Sequence, residues 1–318
     1  MDRFEAMRTL VAAVDGGSLS AASRTLNLPL PTVSRRVSDL ETMLGSQLVV
    51  RTSRKLLLTE AGSAYVASAR RVLEELAEAE RAASGEYRAP RGELLITAPI
   101  MFGKMHVAPI IHDFLSAYPE VTVRLALTDG VVDLVESHVD VAVRLGNLPD
   151  STLVAKRVGE VRWVTCASPD YVARRGVPAS PDELRDHECI AYEGLELWRD
   201  WTFSGPRGEQ TVIIRPRYSV NTADAVIAGA AAGIGVAYII SYQAADSVRE
   251  GVLVPILSES APAPFPVQLV HASRPHQPLK LRAFLDFVAP RLQQRLRSVG
   301  QVFEAHRPVV SAPAEPAE

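Results

Sequence analysis

The chain has 318 residues, with 34 Lys and Arg against 37 Asp and Glu and a formal net charge of −3. This length allows two or three domains, and the negative charge excludes a protein that coats nucleic acid with a wholly basic surface. Cys166 and Cys189 form no CxxC pair, which excludes a disulfide scaffold and a zinc finger. The amino terminus has no apolar signal core and no segment forms a continuous membrane span, so we expect a cytoplasmic protein.

Two short helices are predicted between residues 17 and 45. Ser18 opens the first, because its hydroxyl can accept from a backbone N–H, and Asn27 ends it. The apolar residues of the second helix recur at spacings of four, three and four: Val33, Val37, Leu40 and Leu44. This stripe faces the first helix and turns Arg35 and Arg36 outward. A second helix with a basic outer face fits the major groove of DNA.

A basic hairpin is predicted after the second helix. The apolar runs 48–50 and 56–58 read as two strands around a basic tip, a wing that would touch the DNA backbone. The alternative is that the basic residues form only a solvated surface. The residues expected to contact DNA are Leu30, Pro31, Thr32, Ser34, Arg35, Arg36, Arg51, Arg54 and Lys55.

The stretch from Phe4 to Gly62 resembles the winged helix-turn-helix of LysR-type transcriptional regulators. The resemblance is carried, in family order, by Val33-Ser34-Arg35-Arg36, by Leu40-Glu41 and by a wing ending in Leu58-Thr59-Glu60-Ala61-Gly62. It implies that the protein is a DNA-binding regulator and not an enzyme.

One departure from the family concerns the start of the second helix. Family members commonly carry a Ser-Gln pair where this chain has Pro29-Leu30-Pro31. Pro29 has no side-chain oxygen, and a lost cap costs about 1 kcal/mol. Pro31 disfavours the helical conformation at Leu30, so we expect the helix to start at Pro31. Leu30 would then contact a thymine methyl in place of the usual polar contact.

Residues 59–88 read as one extended helix, rich in Ala, Glu, Arg and Leu. A heptad seam runs along it at alternating spacings of four and three: Tyr65, Ala69, Val72, Leu76, Ala79 and Ala83. The seam predicts pairing with a second copy, and the alternative is an amphipathic helix packed on its own chain. In the family this segment is the dimerising linker helix and tetramers are usual, so the resemblance also implies self-association.

Strand-like and helix-like segments alternate after residue 92, which predicts a parallel sheet wrapped in helices. The expected elements are strands at 94–98, 121–127 and 139–145, a helix over 104–117, a short helix near 131–137, a second set over 161–255 that includes strands at 161–167 and 212–220, a strand at 267–272 and a closing helix over 279–296. This order predicts a bilobed domain, because the chain crosses to a second lobe and returns.

The same region resembles the effector domain of LysR-type regulators, with motifs such as Asp140-Val141-Ala142-Val143-Arg144-Leu145-Gly146. The resemblance implies a multi-domain chain: an all-α winged helix-turn-helix, a long linker helix and a bilobed α/β effector domain of the type-two periplasmic-binding-protein fold. The expected bounds are 1–59 for the DNA-binding domain, 60–89 for the linker, 91–160 with 267–297 for lobe I, 161–266 for lobe II, and 298–318 for a disordered tail.

An effector is expected at the carboxyl ends of the strands, where helix starts point N–H groups outward. The residues at these positions are Pro99, Ile100, Met101, Phe102, Gly103, Thr128, Arg144, Leu145, Gly146, Asn221 and Tyr238. Arg144 could bind a carboxylate, and the alternative is an ion pair with Asp133 or Asp140. Met101, Phe102 and Tyr238 favour a partly apolar or aromatic ligand, unless they only pack in the core.

These features predict a sequence-specific DNA-binding regulator controlled by a small organic effector that is anionic or aromatic. Double-stranded DNA with inverted-repeat character, a second copy of the chain and RNA polymerase are the expected partners, and a membrane is not. No metal or cofactor motif, G-x-S-x-G elbow or P-loop occurs. The alternative is a cytosolic solute-sensing or binding protein without a gene-regulatory role.

Overall fold

The computed structural model describes residues 2–51, 56–83, 89–130, 132–134, 137–149, 151–193, 199–206, 208–273 and 277–306. The chain divides into two compact units, Met1–Gly92 and Glu93–Glu318. The effector domain expected from residue 90 begins close to this division.

The described residues of the first unit form four helices and one hairpin. Its elements are α1 Arg3–Asp15, α2 Leu19–Leu26, α3 Leu30–Leu44, β1 Val49–Arg51, β2 Leu56–Leu58 and α4 Glu60–Ala83. The sequence reading did not predict α1. The sequence does carry a helix signal here, an Asp that can cap the helix followed by apolar residues at helical spacing. In the structure, Asp2 accepts from the backbone N–H of Phe4 at 2.9 Å, and the helix buries Ala6, Leu10 and Ala13.

The turn between α2 and α3 follows from its capping residues. Ser18 Oγ accepts from the backbone N–H of Ala21 at 3.1 Å, and Asn27 ends α2 in the left-handed region at φ 52°, which confirms both predictions. The start of α3 was predicted one residue too late. The carbonyl of Pro29 accepts from the N–H groups of Thr32 and Val33, so backbone bonds close the first turn and Leu30 belongs to the helix.

The predicted hairpin is confirmed, with β1 and β2 antiparallel and Val50 opposite Leu57. Glu41 fixes it to α3, because its Oε1 accepts from the backbone N–H of Leu48 at 2.8 Å and of Val49 at 3.0 Å. The hairpin therefore takes its position from a helix residue. Arg54 and Lys55, predicted at its tip, lie outside the described residues.

The second unit holds most of the strands. They are β3 Gly92–Ala98, β4 Val121–Leu127, β5 Val141–Leu145, β6 Leu153–Val161, β7 Trp163–Ala167, β8 Cys189–Tyr192, β9 Asp200–Gly205, β10 Gly208–Ile213, β11 Pro216–Val220, β12 Val236–Ile240, β13 Val254–Ile256 and β14 Phe265–Ala272. The helices are α5 Ile100–Phe102, α6 Ala108–Ala117, α7 Pro169–Arg175, α8 Ala223–Ala231, α9 Ser241–Arg249 and α10 Leu279–Ala305. A π-helical turn, Gly103–Val107, joins α5 to α6.

Two five-stranded sheets form the two lobes. The strand order is β4-β3-β5-β14-β6 in the first and β11-β8-β12-β7-β13 in the second. The predicted parallel pairing holds for β3 with β5 and for β8 with β11 and β12, but both sheets are mixed. The returning strand β14 runs antiparallel to β5 and β6, and β7 runs antiparallel to β12 and β13. The chain leaves lobe I after β6 and re-enters it at β14, as the predicted crossover requires.

Two local predictions for this unit were wrong. The short helix expected near 131–137 is a third case, because it lies partly outside the described residues. In the described part, the N–H of Ser137 bonds to Asp133 O, the N–H of Val139 bonds to Leu134 O and His138 takes a φ of 58°. The single strand expected over 212–220 is two strands, since β10 pairs with β9 while β11 joins the second-lobe sheet. Helix α10 continues to Ala305, so residues 298–305 are not a disordered tail. It continues because Val299, Val302 and Phe303 keep the buried helical spacing.

His106 lies in the π-helical turn and is only 7% exposed. Its ring lies 5.0 Å from that of Phe102 and 5.6 Å from that of Tyr242 on α9, and among the described residues neither ring nitrogen has a hydrogen-bond partner. Burial, with a smaller contribution from the charge of Arg295, lowers the pKa of His106 to about 4.

Acid should destabilise the protein through His106. The unfolded chain binds a proton on this ring near the ordinary pKa of 6.5, whereas the folded chain binds it only near 4, so stability falls as the pH drops through this window. In His106→Leu, the free energy of unfolding lost between neutral pH and about pH 4.5 should shrink by about 2 kcal/mol. Denaturant titrations at both pH values measure this. The exposed His112→Gln variant is the control, and a pH dependence of His106→Leu equal to that of the wild type would contradict the assignment.

Removing the Glu41 carboxylate should destabilise the first unit, because two backbone donors lose their acceptor. For Glu41→Ala we expect a loss of about 2 kcal/mol in the free energy of unfolding. Urea titration followed by circular dichroism measures it. Asp39→Ala removes an exposed carboxylate from the same helix and should change stability far less. Equal effects of the two substitutions would contradict the proposed role of the Glu41 hydrogen bonds.

Candidate DNA-binding and effector sites

The exposed face of α3 is fixed by its buried face. Val33, Val37 and Leu40 are fully buried, which confirms most of the predicted stripe, whereas Leu44 at the helix end is 38% exposed. Leu30 is 43% exposed although it is apolar. Pro31 and Arg35 are exposed on the same helix, and Thr32 and Ser34 are half-buried. The helix therefore presents an apolar start followed by a cation.

Arg36 does not face outward as predicted. Its Nη1 lies 2.9 Å from Glu5 Oε2 and 3.4 Å from Thr9 Oγ1, both on α1, and its side chain is 25% exposed. The guanidinium therefore joins α3 to α1. Arg35 carries the outward positive charge of this pair, and the side chain of Arg51 lies outside the described part of the wing.

The predicted seam on α4 divides into two parts. Ala69 is 1% exposed and Tyr65 packs against the core of the first unit, so these two positions serve their own unit, as the alternative held. Burial also raises the pKa of Tyr65. Val72 and Leu76, one turn apart, remain 40% and 36% exposed. The side chains of Ala79 and Ala83 lie outside the described residues.

Several of the first-lobe residues predicted to bind an effector pack in the core or form hydrogen bonds within the lobe. Phe102 is fully buried, and a Cβ at Gly103 would lie 2.2 Å from Leu127 Cδ2, so both pack in the core. Thr128 Oγ1 accepts from the N–H of Gly130 at 3.1 Å. Ile100 follows Pro99, is half exposed and donates its backbone N–H to Asp129 Oδ1 at 3.0 Å. Met101 is partly buried against the core.

Arg144 lies near the end of β5. Its Nη2 donates to the carbonyl of Val132 at 3.1 Å, and burial lowers its pKa. Asp140, one of the two carboxylates considered as its partner, accepts from the N–H of Leu95 at 2.9 Å. Leu145 packs against the core, and Gly146, at φ 101°, donates its N–H to Pro266 O at 2.8 Å.

Charged groups from both lobes act on Tyr192 at the end of β8. Burial raises the pKa of Tyr192, and the negative charges of Asp129 in the first lobe and Asp224 in the second raise it further. A hydrogen bond from Thr222 lowers the pKa of Asp224, and the charge of Lys104 lowers it further. Sequence reasoning did not select Lys104, Tyr192 or Asp224 because they meet only through the sheet order. The predicted Asn221 is exposed one residue before Thr222.

An aromatic cavity lies in the second lobe, with a volume of about 390 Å³. Its lining residues are Trp163, Tyr192, Asp200, Trp201, Thr202, Glu209, Tyr238, Pro262, Ala263 and Phe265. Of these only Tyr238 was predicted as an effector contact. Its ring is stacked on Trp163 at 4.9 Å and on Trp201 at 5.2 Å, and its hydroxyl donates to the carbonyl of Thr202 at 2.5 Å. Burial raises the pKa of this hydroxyl.

Other kinds of site find no support in the described chain. Within it, His, Cys, Asp and Glu nowhere gather in threes at positions that could hold a metal ion. Cys166 and Cys189 are buried free thiols, and burial raises the pKa of each to about 12. None of the helices that the structure describes is both long and apolar enough to cross a membrane.

Two protein families match the chain. Residues 4–63 match the bacterial regulatory helix-turn-helix protein, lysR family, and residues 88–293 match the LysR substrate binding domain. The matched segments correspond to the winged unit and to the two-lobed unit.

The proteins that this chain resembles in sequence are named as transcriptional regulators. An HTH-type transcriptional regulator of Xanthomonas campestris is 35% identical over 89% of this chain and 83% of its own length. The regulator CrgA of Neisseria meningitidis is 32% identical over 92% of this chain and 98% of its own. The solved structure of CrgA, a LysR-type transcriptional regulator, superposes with a TM-score of 0.59 at 31% identity, over 91% and 98% of the two chains. The chain therefore belongs to the LysR family of DNA-binding transcriptional regulators with an effector-binding domain.

Proposed function

We propose that this regulator binds an inverted-repeat operator as a dimer in the cytoplasm, and that a small organic molecule bound in its two-lobed domain changes that binding. The observation that carries the proposal is the exposed face of α3. Arg35 projects from a helix whose other face is buried, beside an exposed Leu30 and a wing held to the same helix by Glu41.

The residue types on this face suit base and phosphate recognition. Arg35 can donate two hydrogen bonds to a guanine edge, and Leu30 can contact a thymine methyl. Pro31, Thr32 and Ser34 would lie against the sugar-phosphate backbone, and the wing cations Arg51, Arg54 and Lys55 would bind phosphates. Arg36 is bound to Glu5, so a contact of Arg36 with DNA requires that this ion pair opens.

Dimerisation is proposed through α4. Val72 and Leu76 are large apolar side chains that remain exposed on this helix, and burying them against the same helix of a second copy removes them from water. Two heads joined in this way match an operator with two half-sites. A tetramer built from two such dimers, and contact with RNA polymerase, are further parts of the proposal.

The effector acts by preferring one arrangement of the two lobes. A ligand shifts an equilibrium only by its difference in affinity for the two states. Pro262, Ala263 and Phe265 line the second-lobe cavity, and Phe265 begins β14 of the first-lobe sheet, so a ligand there would contact both lobes. Arg144 stays a predicted contact, since one of its five donors is used by Val132.

Loss of Arg35 should remove sequence-specific binding. With Arg35→Ala we expect the affinity for DNA from the region upstream of its own gene to fall by about tenfold to a hundredfold, toward that for scrambled DNA. Fluorescence anisotropy at physiological salt measures both affinities. Arg282→Ala, which removes an exposed guanidinium from α10, should leave them unchanged. An unchanged operator affinity in Arg35→Ala would remove Arg35 from the site.

A charge in the exposed part of the seam should weaken self-association. For Leu76→Asp we expect the dimer dissociation constant to rise at least about tenfold, because two apolar side chains lose their contact and two carboxylates approach each other. Sedimentation velocity across a concentration series measures it, with the exposed Glu80→Gln as the control on the same helix. A Leu76→Asp dimer as tight as the wild type would place the interface elsewhere.

A further inference from the structure

We propose that the aromatic cavity of the second lobe binds a cationic group, an alkylammonium or quaternary ammonium, as part of the effector; this rests on the proposed function of the two-lobed domain. The cavity's volume of about 390 Å³ lies within the range of small-molecule sites.

The walls of the cavity are aromatic. Trp201 and Tyr238 are 3% and 8% exposed and form its fixed inner side, while Trp163, Tyr192 and Phe265 are half-buried and line the part that remains open. An aromatic face carries partial negative charge and attracts a cation within about 6 Å of its centre. The Tyr238 hydroxyl is already bound to Thr202 O and its ring is stacked on Trp163 and Trp201, so this ring is held in place and a ligand would meet the aromatic faces that the stack leaves free.

Two carboxylates complete the lining. Asp200 begins β9 and Glu209 lies on the paired strand β10. The charge of Glu209 reaches the ring of Tyr238, because it adds to burial in raising the pKa of that hydroxyl. Among the described residues that line the cavity there is no Lys, Arg or His.

This charge pattern selects against an anion. A carboxylate ligand would meet two like charges and the negative faces of several rings with no cation to offset them. A neutral apolar ligand would fill the volume but gain nothing from the two carboxylates, of which Glu209 is exposed and Asp200 half-buried. A cation satisfies the rings and the carboxylates together, as methylammonium groups do in aromatic cages.

The test compares three probes on the full-length protein by isothermal titration calorimetry. Choline carries the cation, 3,3-dimethyl-1-butanol has the same shape without charge, and benzoate is an aromatic anion. We expect saturable binding of choline, at least about tenfold tighter than binding of either other probe. Equal or tighter binding of the neutral isostere or of benzoate would overturn the proposal, as would the absence of saturable choline binding.

The variant Asp200→Asn with Glu209→Gln keeps the shape of the cavity and removes its charge. We expect it to bind choline about tenfold more weakly while its affinity for the neutral isostere stays the same. Asp170→Asn with Glu250→Gln changes the net charge equally at exposed positions outside the cavity and should bind choline like the wild type. Equal choline affinity in the two double variants would overturn the role of the carboxylates.

Operator binding measured on the same samples separates ligand binding in the cavity from DNA binding by the first unit. If operator affinity is specific but choline does not bind, the ligand assignment fails and the regulator stands. If choline binds with the expected preference but no DNA is bound specifically, the cavity assignment stands and the proposed function fails.

Discussion

The helical period of α3 is the constraint on which the DNA-binding function depends. Val33, Val37 and Leu40 must be buried for the small first unit to have a core, and a helix with one buried face has one face left. Arg35 lies on that remaining face, and Arg36, one residue later, lies close enough to α1 to pair with Glu5. The same burial that stabilises the first unit thus determines which side chains can contact DNA. The hydrogen bonds of Glu41 hold the wing in place relative to α3.

Local signals in the sequence were sufficient for much of this unit. Ser18, Asn27 and the apolar stripe each act through neighbours within one or two turns, so their roles could be predicted. The ion pair of Arg36 with a residue 31 positions away, and the burial of Ala69 in its own unit, could not, because spacing along a helix does not say which element covers it. For the same reason the heptad seam predicted six interface positions where the described side chains leave two exposed.

The two-lobed unit shows more clearly how far structure can be predicted from sequence. Strands close to β3, β4, β5, β7 and β14 could be predicted from the sequence, whereas β6, β8, β9, β12 and β13 were missed. The direction of β14 and the mixed sheets depend on where the chain returns from the second lobe. Trp163, Trp201 and Tyr238 lie on three strands, and nothing in their spacing predicts that their rings stack. The cavity they build exists only after β7 and β12 pair and β9 and β10 fold over them. Phe102 and Gly103 were predicted to contact the ligand but are buried in the core, because a residue that follows a strand need not face a ligand.

The central claim is that two copies of one exposed helix face read one DNA site under the control of a two-lobed domain. DNase I footprinting of the full-length protein on DNA upstream of its own gene tests it most directly. The account predicts two protected half-sites on one face of the duplex, separated by about 10 base pairs or a multiple of that helical repeat, and none on unrelated DNA. Even protection of unrelated sequences, or a single protected half-site, would contradict it.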